Sequence, residues 1–178
     1  MSVLQKIVIN AELFPDKIAI IDRDIPKTYS QLVLDIQAVA YQFVKKKCKL
    51  GDFIFICADN SYSFICTYFA AHYIGSKVVN ISIDTPKDYL DFINRKLDSG
   101  IFIDNCEEFF KSCTNCRSTN KFVTPSASDS DLMFTSGTSG EPKGVILTHT
   151  QIELATQHII RNIKNQKDDT EILLMPLA

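Results

Sequence analysis

Apolar residues recur along this chain in two alternating patterns, short continuous runs and stripes at helical spacing. Ile18–Ile21 is a short run that breaks at Asp22-Arg-Asp24, which reads as a strand entering a turn. Ser30 stands where a helix N-cap belongs, and Leu32, Ile36, Val39, Ala40 and Phe43 then share one helical face. Lys45-Lys-Lys47 suits the negative end of that helix, and Leu50-Gly51-Asp52 is expected to stop it. Phe53–Cys57 is apolar at every position, as in a strand buried on both faces of a parallel sheet. Asn60-Ser61 opens a second helix with Phe64, Ile65, Tyr68, Phe69 and His72 on its apolar side, and Gly75 ends it. His72 reads as a packed or half-exposed helix residue without an identifiable catalytic partner. Lys77–Ile83 is the next strand, Pro86 opens a third helix carrying Leu90, Ile93 and Leu97, and Ile101–Ile103 is another short strand.

Three strand–helix alternations with short connections predict an α/β fold: a mainly parallel sheet with flanking helices. Residues 104–130 break the rhythm, being polar and rich in Ser, Thr and Asn, and read as a long connecting segment. Leu132–Phe134 and Val145-Ile-Leu147 are strands on either side of a glycine-rich loop. Thr150-Gln-Ile-Glu153 fits a capping box, with Ile152, Ala155, Ile159 and Ile163 as the stripe of the helix behind it. Ile172–Met175 reads as a last strand.

Composition narrows the function classes. The chain has 178 residues, 46% hydrophobic and 22% charged, with a net charge of −2. That is the balance of a globular protein, and the absent basic excess disfavours nucleic acid as a partner. No apolar run is long enough to span a bilayer, and no signal-peptide pattern opens the chain, so a cytoplasmic location is expected. Of six cysteines, Cys57 and Cys66 read as small core residues. Cys106, Cys113 and Cys116 cluster, but a zinc site needs four ligands and usually a second pair, so a surface loop is the reading preferred.

The candidate chemistry lies in Thr135-Ser-Gly-Thr-Ser-Gly-Glu-Pro-Lys-Gly144. Its glycines let backbone N–H groups approach a ligand closely. Thr135, Ser136, Thr138 and Ser139 supply hydroxyls, and Lys143 supplies a point charge for phosphate oxygens. Gly144 follows Lys143 where a Walker A loop carries Ser or Thr, so this is a different kind of loop. Composition and spacing leave two readings open, a phosphate-binding turn and an ordinary polar turn of a hairpin.

The segment Phe134–Val145 resembles the signature loop of the acyl-adenylate-forming superfamily, [YF]-T-S-G-T-T-G-x-P-K-G, with Ser139 as its departure. That superfamily includes acyl- and aryl-CoA synthetases, luciferases and peptide-synthetase adenylation domains. The resemblance extends to Phe14-Pro-Asp-Lys-Ile-Ala19, to Lys27-Thr-Tyr-Ser-Gln-Leu32, to Lys49-Leu-Gly-Asp52 with Asp59-Asn-Ser61, and to Ala70–Pro86, where Asn80 and Ile83 replace two usual prolines.

The resemblance implies the first part of a large N-terminal domain. It implies a ligase that binds MgATP and a carboxylic acid, forms acyl-AMP and pyrophosphate, and passes the acyl group to a thiol, coenzyme A first among the candidates. The alternatives are an adenylation domain loading a carrier-protein phosphopantetheine, or a non-catalytic nucleotide-binding relative. Thr135, Ser136, Gly137, Thr138, Ser139, Gly140 and Lys143 would hold the phosphates. Leu174-Met-Pro-Leu-Ala178 resembles the start of the next motif, P-L-x-H-x-x-G, cut before its histidine. Residues 1–178 are therefore expected to be a truncated piece without the catalytic residues, inactive alone, with the magnesium ligand unassigned.

Overall fold

The computed structural model describes residues 1–97, 100–113, 129–135, 143–163 and 169–171. An N-terminal helix α1 (Val3–Leu13) precedes a hairpin of β1 (Ile18–Asp22) and β2 (Ile25–Thr28). Then come α2 (Tyr29–Lys45), β3 (Phe53–Cys57), α3 (Tyr62–Tyr73), β4 (Lys77–Ile81), α4 (Lys87–Lys96), β5 (Gly100–Ile103) and α5 (Cys106–Cys113). The hairpin of β6 (Asp129–Thr135) and β7 (Lys143–Thr148) and helix α6 (His149–Ile163) follow.

Among the described residues five strands form the main sheet, in the order β5-β3-β4-β6-β7. β3, β4, β5 and β6 run parallel, and β7 is added antiparallel at the edge. The expected α/β architecture with a mainly parallel sheet is therefore present. The first two strands stay outside it as a separate antiparallel pair. Their two-residue turn places Arg23 at φ 50° and Asp24 at φ 63°, the left-handed pair of a type I′ turn.

Alternation along β3 divides the core between the two faces of the sheet. Ile54 and Ile56 enter a cluster with the helical layer formed by α1, α2, α3 and α5, where they join Ile36, Val39, Phe43 and Ala70. Phe55 points the other way, into a smaller cluster with Val79, Ile81, Leu132 and Ile93 of α4. Helices thus cover both faces, and this is why β3 is apolar at every position. Burying a side chain such as Phe43 or Ile54 contributes about 1.5–3 kcal/mol.

Several sequence expectations need correction. The cap of α2 is Thr28, not Ser30: its hydroxyl accepts from Gln31 N–H, and the Gln31 side chain accepts from Thr28 N–H. That helix ends before Gly51, in a Schellman turn at Lys47, where Lys47 and Cys48 N–H bond to Val44 and Phe43 carbonyls. The cap of α6 is Thr148 paired with Gln151, two residues before the expected box. Helix α1 is an addition to the expected elements; only Leu4 of it is buried, so its apolar stripe is faint in the sequence.

Residues 104–130 are not one irregular connection, since α5 occupies Cys106–Cys113. Cys106 and Cys113 are core residues of that helix, not part of a surface loop. Cys116 and the expected strand Ile172–Met175 lie outside the described residues. Among the described residues no helix is long and apolar enough to cross a membrane.

Candidate functional site

The site is built on the β6–β7 hairpin. Leu132 pairs with Ile146, Met133 with Val145, Phe134 with Gly144, and Thr135 with Lys143. Gly144 has a steric reason to be glycine: a Cβ there would lie 3.0 Å from Leu132 Cδ1 and 3.5 Å from Phe134 Cε1. The absence of a Cβ lets the Leu132 and Phe134 side chains approach β7 closely.

The last rung of this ladder joins Thr135 to Lys143 across the mouth of the loop. Lys143 is exposed there. Of the loop residues expected to hold phosphate, Ser136, Gly137, Thr138, Ser139 and Gly140 lie outside the described residues, and so does the side chain of Thr135. The ladder therefore brings the backbones of the first and last expected residues into register.

The loop leaves the carboxyl end of β6, beside the carboxyl end of β4. From the neighbouring strands β3 and β4 the chain departs to opposite faces, toward α3 and α4 respectively. Such a divergence opens a crevice outside the carboxyl ends of a parallel sheet, where ligands of open α/β sheets bind. Among the described residues no three His, Cys, Asp or Glu side chains gather as a metal site.

A second polar cluster sits at the opposite end of the hairpin. His72 of α3 is 4% exposed, and neither of its ring nitrogens has a hydrogen-bond partner. Its Nε2 stands 3.7 Å from Asp131 Oδ2 on β6, too far for a hydrogen bond. The His72 ring is perpendicular to Tyr68 at 4.5 Å and to His149 at 5.0 Å between centroids. Burial, with a smaller contribution from His149, pushes the His72 pKa down to about 3. It is neutral at ordinary pH, so the pair with Asp131 is not an ion pair.

Burial also raises the Asp131 pKa, while hydrogen bonds from Ser130 and Tyr68 oppose that shift. The Ser130 hydroxyl donates to Asp131 at 2.6 Å. His72, His149, Tyr68 and Ser130 line a cavity of about 180 Å³ together with Leu4 and Phe69. Its position at the far end of the ladder from Thr135 and Lys143 separates it from the loop. Sequence reasoning missed this cluster; the one available signal was Asp131 directly before an apolar run.

Comparisons with known proteins bear on the loop. The family model described as AMP-binding enzyme matches residues 8–178. Malformin synthetase mlfA of Aspergillus niger is 30% identical over 149 residues, which cover 76% of this chain and 3% of that protein. Crotonobetaine/carnitine–CoA ligase of Salmonella paratyphi A is 24% identical over 212 residues, covering 93% of this chain and 40% of the relative. The solved o-succinylbenzoate CoA synthetase of Bacillus subtilis, in complex with its acyl-adenylate intermediate, superposes with a TM-score of 0.86. At 20% identity that likeness shows the fold; it covers 99% of this chain and 50% of the synthetase. The chain thus spans half or less of each of these proteins.

Proposed function

Because the chain belongs to the AMP-binding enzyme family, we propose that it forms the phosphate-gripping part of an ATP-dependent carboxylate-activating ligase. In this reaction a carboxylate oxygen attacks the α-phosphorus of ATP, pyrophosphate leaves, and acyl-AMP remains. A thiol then takes the acyl group and AMP departs. Coenzyme A is the favoured acceptor, since two of the similar proteins are named as CoA ligase and CoA synthetase. The match to one short stretch of a very long synthetase favours a second reading, transfer to a carrier-protein phosphopantetheine.

The observation that carries the proposal is the register of Thr135 with Lys143 at the carboxyl end of a parallel strand. Loop amides and hydroxyls at residues 135–140 would replace water around the β- and γ-phosphates, and Lys143 would add charge at one side. Their contribution is positional and electrostatic: they hold the triphosphate while negative charge moves onto the leaving pyrophosphate. Magnesium, entering with ATP, would neutralise phosphate charge. The chemistry assigned to this chain is that of its amides, its hydroxyls and Lys143.

The test is ATP–pyrophosphate exchange by the longest natural polypeptide that contains residues 1–178, with a panel of carboxylic acids. Acid-dependent exchange is expected. Tight ATP binding without exchange for any acid would favour the non-catalytic relative and overturn the proposal.

A further inference from the structure

The cavity at the far end of the β6–β7 ladder has no part in the proposed reaction. Four elements wall it. Leu4 of α1, Phe69 of α3 and Ile152 of α6 supply hydrocarbon, while His72, His149 and Ser130 supply polar atoms. Val3 and Ile152 are only half-buried, so the space reaches the surface between α1 and α6. Its volume of about 180 Å³ slightly exceeds the roughly 150 Å³ in which an apolar protein cavity admits a benzene ring.

The polar side of the cavity is incomplete. Both ring nitrogens of His72 are buried without a hydrogen-bond partner, although a neutral imidazole carries one donor and one acceptor. Buried polar groups left unpaired are costly and rare. The nitrogens lie just beneath the cavity wall, and rotation about χ2, a soft torsion in histidine, turns one of them into the space. His149 stands beside it, ring to ring at 5.0 Å, as a second imidazole that burial keeps neutral. Water is a poor filling, because each ordered water needs about three polar partners and the hydrocarbon walls offer none.

Charge narrows the ligand further. Among the described residues no Lys or Arg lines the cavity, so an anion finds no counter-charge. The two acids nearby already have partners. Glu153 accepts from the N-terminal ammonium of Met1 and from Gln157, and Asp131 accepts from the Ser130 hydroxyl. A cation therefore finds no unpaired carboxylate, whereas the imidazole of His72 lacks any partner. We propose that this cavity binds an uncharged single-ring aromatic molecule bearing a hydroxyl group, a phenol in its simplest form. The ring lies against Leu4, Phe69 and Ile152, and the hydroxyl, donor and acceptor at once, bonds to the imidazoles of His72 and His149. This site is separate from the phosphate loop and does not depend on the proposed reaction.

The experiment measures binding of phenol, toluene, benzoate and benzylamine by calorimetry to the longest natural polypeptide that contains residues 1–178. Phenol is expected to bind in the millimolar range or tighter, and about tenfold tighter than toluene, which leaves the imidazole unpaired. Ile152→Trp, which fills the cavity from α6, is expected to weaken phenol about tenfold or more. Leu154→Trp, at a position 60% exposed on the same helix, should leave it unchanged. Unfolding midpoints confirm that both variants fold, and the comparison of the four ligands on the unaltered protein stands without them. No phenol binding at about 10 mM overturns the proposal and leaves the space to water or to other polypeptide. Equal affinity for toluene, or tighter binding of benzoate or benzylamine, overturns the ligand class. Phenol binding that Ile152→Trp does not alter places it elsewhere and overturns the site.

Discussion

His72 and Asp131 face each other across 3.7 Å inside the molecule, both nearly inaccessible, without forming a hydrogen bond. Solvent exclusion governs the histidine more strongly than the neighbouring carboxylate does, and its pKa falls to about 3. An unfolded histidine titrates near 6.5, so below that pH the unfolded state binds a proton that the folded state refuses. Stability is therefore full above about pH 6.5 and is lost as pH falls toward about 3, by up to ~1.4 kcal/mol per pH unit from this group. Asp131, with its pKa raised, acts in the opposite direction at the lower end of this window. Denaturation of the wild type and of His72→Phe across this range should show the steeper loss in the wild type. A histidine signal that stays neutral in NMR at about pH 5 would check the cause directly.

The reciprocal bonds between Thr28 and Gln31 satisfy two backbone donors at the start of α2. Thr28→Ala should lower stability by about 1 kcal/mol, and Thr28→Ser should restore most of it. Thermal or urea unfolding measures both. Equal stability of all three proteins would remove the cap from the account of this helix.

Gly100 begins β5, where an added Cβ would stand 2.3 Å from Phe55 Cε2 and 2.8 Å from the Phe53 carbonyl oxygen. The aromatic ring can shift, but the carbonyl belongs to an interior strand of the sheet and cannot move far. Gly100→Ala should cost about 1–3 kcal/mol through overpacking. A shift in the unfolding midpoint reads this effect.

The pairing of β7 with β6 holds Lys143 through its backbone, and its side chain is exposed, where charge interactions contribute little to folding. In the longest natural polypeptide, Lys143→Ala should reduce ATP–pyrophosphate exchange about tenfold or more, the value of one charge-assisted hydrogen bond, with the unfolding midpoint unchanged. Thr138→Ala should act in the same direction. Normal exchange in both variants would take the loop out of the mechanism.

The cysteines should separate by burial. Cys48 and Cys57 are partly exposed, whereas Cys66, Cys106 and Cys113 are buried. Burial also pushes the Cys106 thiol up to about 11, which removes reactive thiolate at neutral pH. A thiol reagent applied to the native protein should modify Cys48 and Cys57 well before the other three. Early reaction of Cys113 would return it to the surface.

Much of the architecture is legible in the sequence. Phe53–Cys57 is apolar at every position because both faces of β3 are covered, and the sequence shows that directly. Cap positions are less legible, since a Thr or Ser caps a helix only where the backbone turns. Thr28 and Ser30, or Thr148 and Thr150, compete for the role within two residues, and the strand preceding each helix decides between them. The loop itself is found by local composition and by its resemblance to a family signature.

The amino-acid sequence alone determined the order of most strands and helices, the buried character of β3 and the identity of the residues offered to phosphate, because each depends on neighbours along the chain. The tertiary structure decided that Thr135 stands opposite Lys143, that Cys106 and Cys113 enter the core, and that His72 meets Asp131 and His149. Those relationships depend on how separate elements pack. They arise only when the sheet sets its register and the helices settle on its two faces, and no local spacing encodes them.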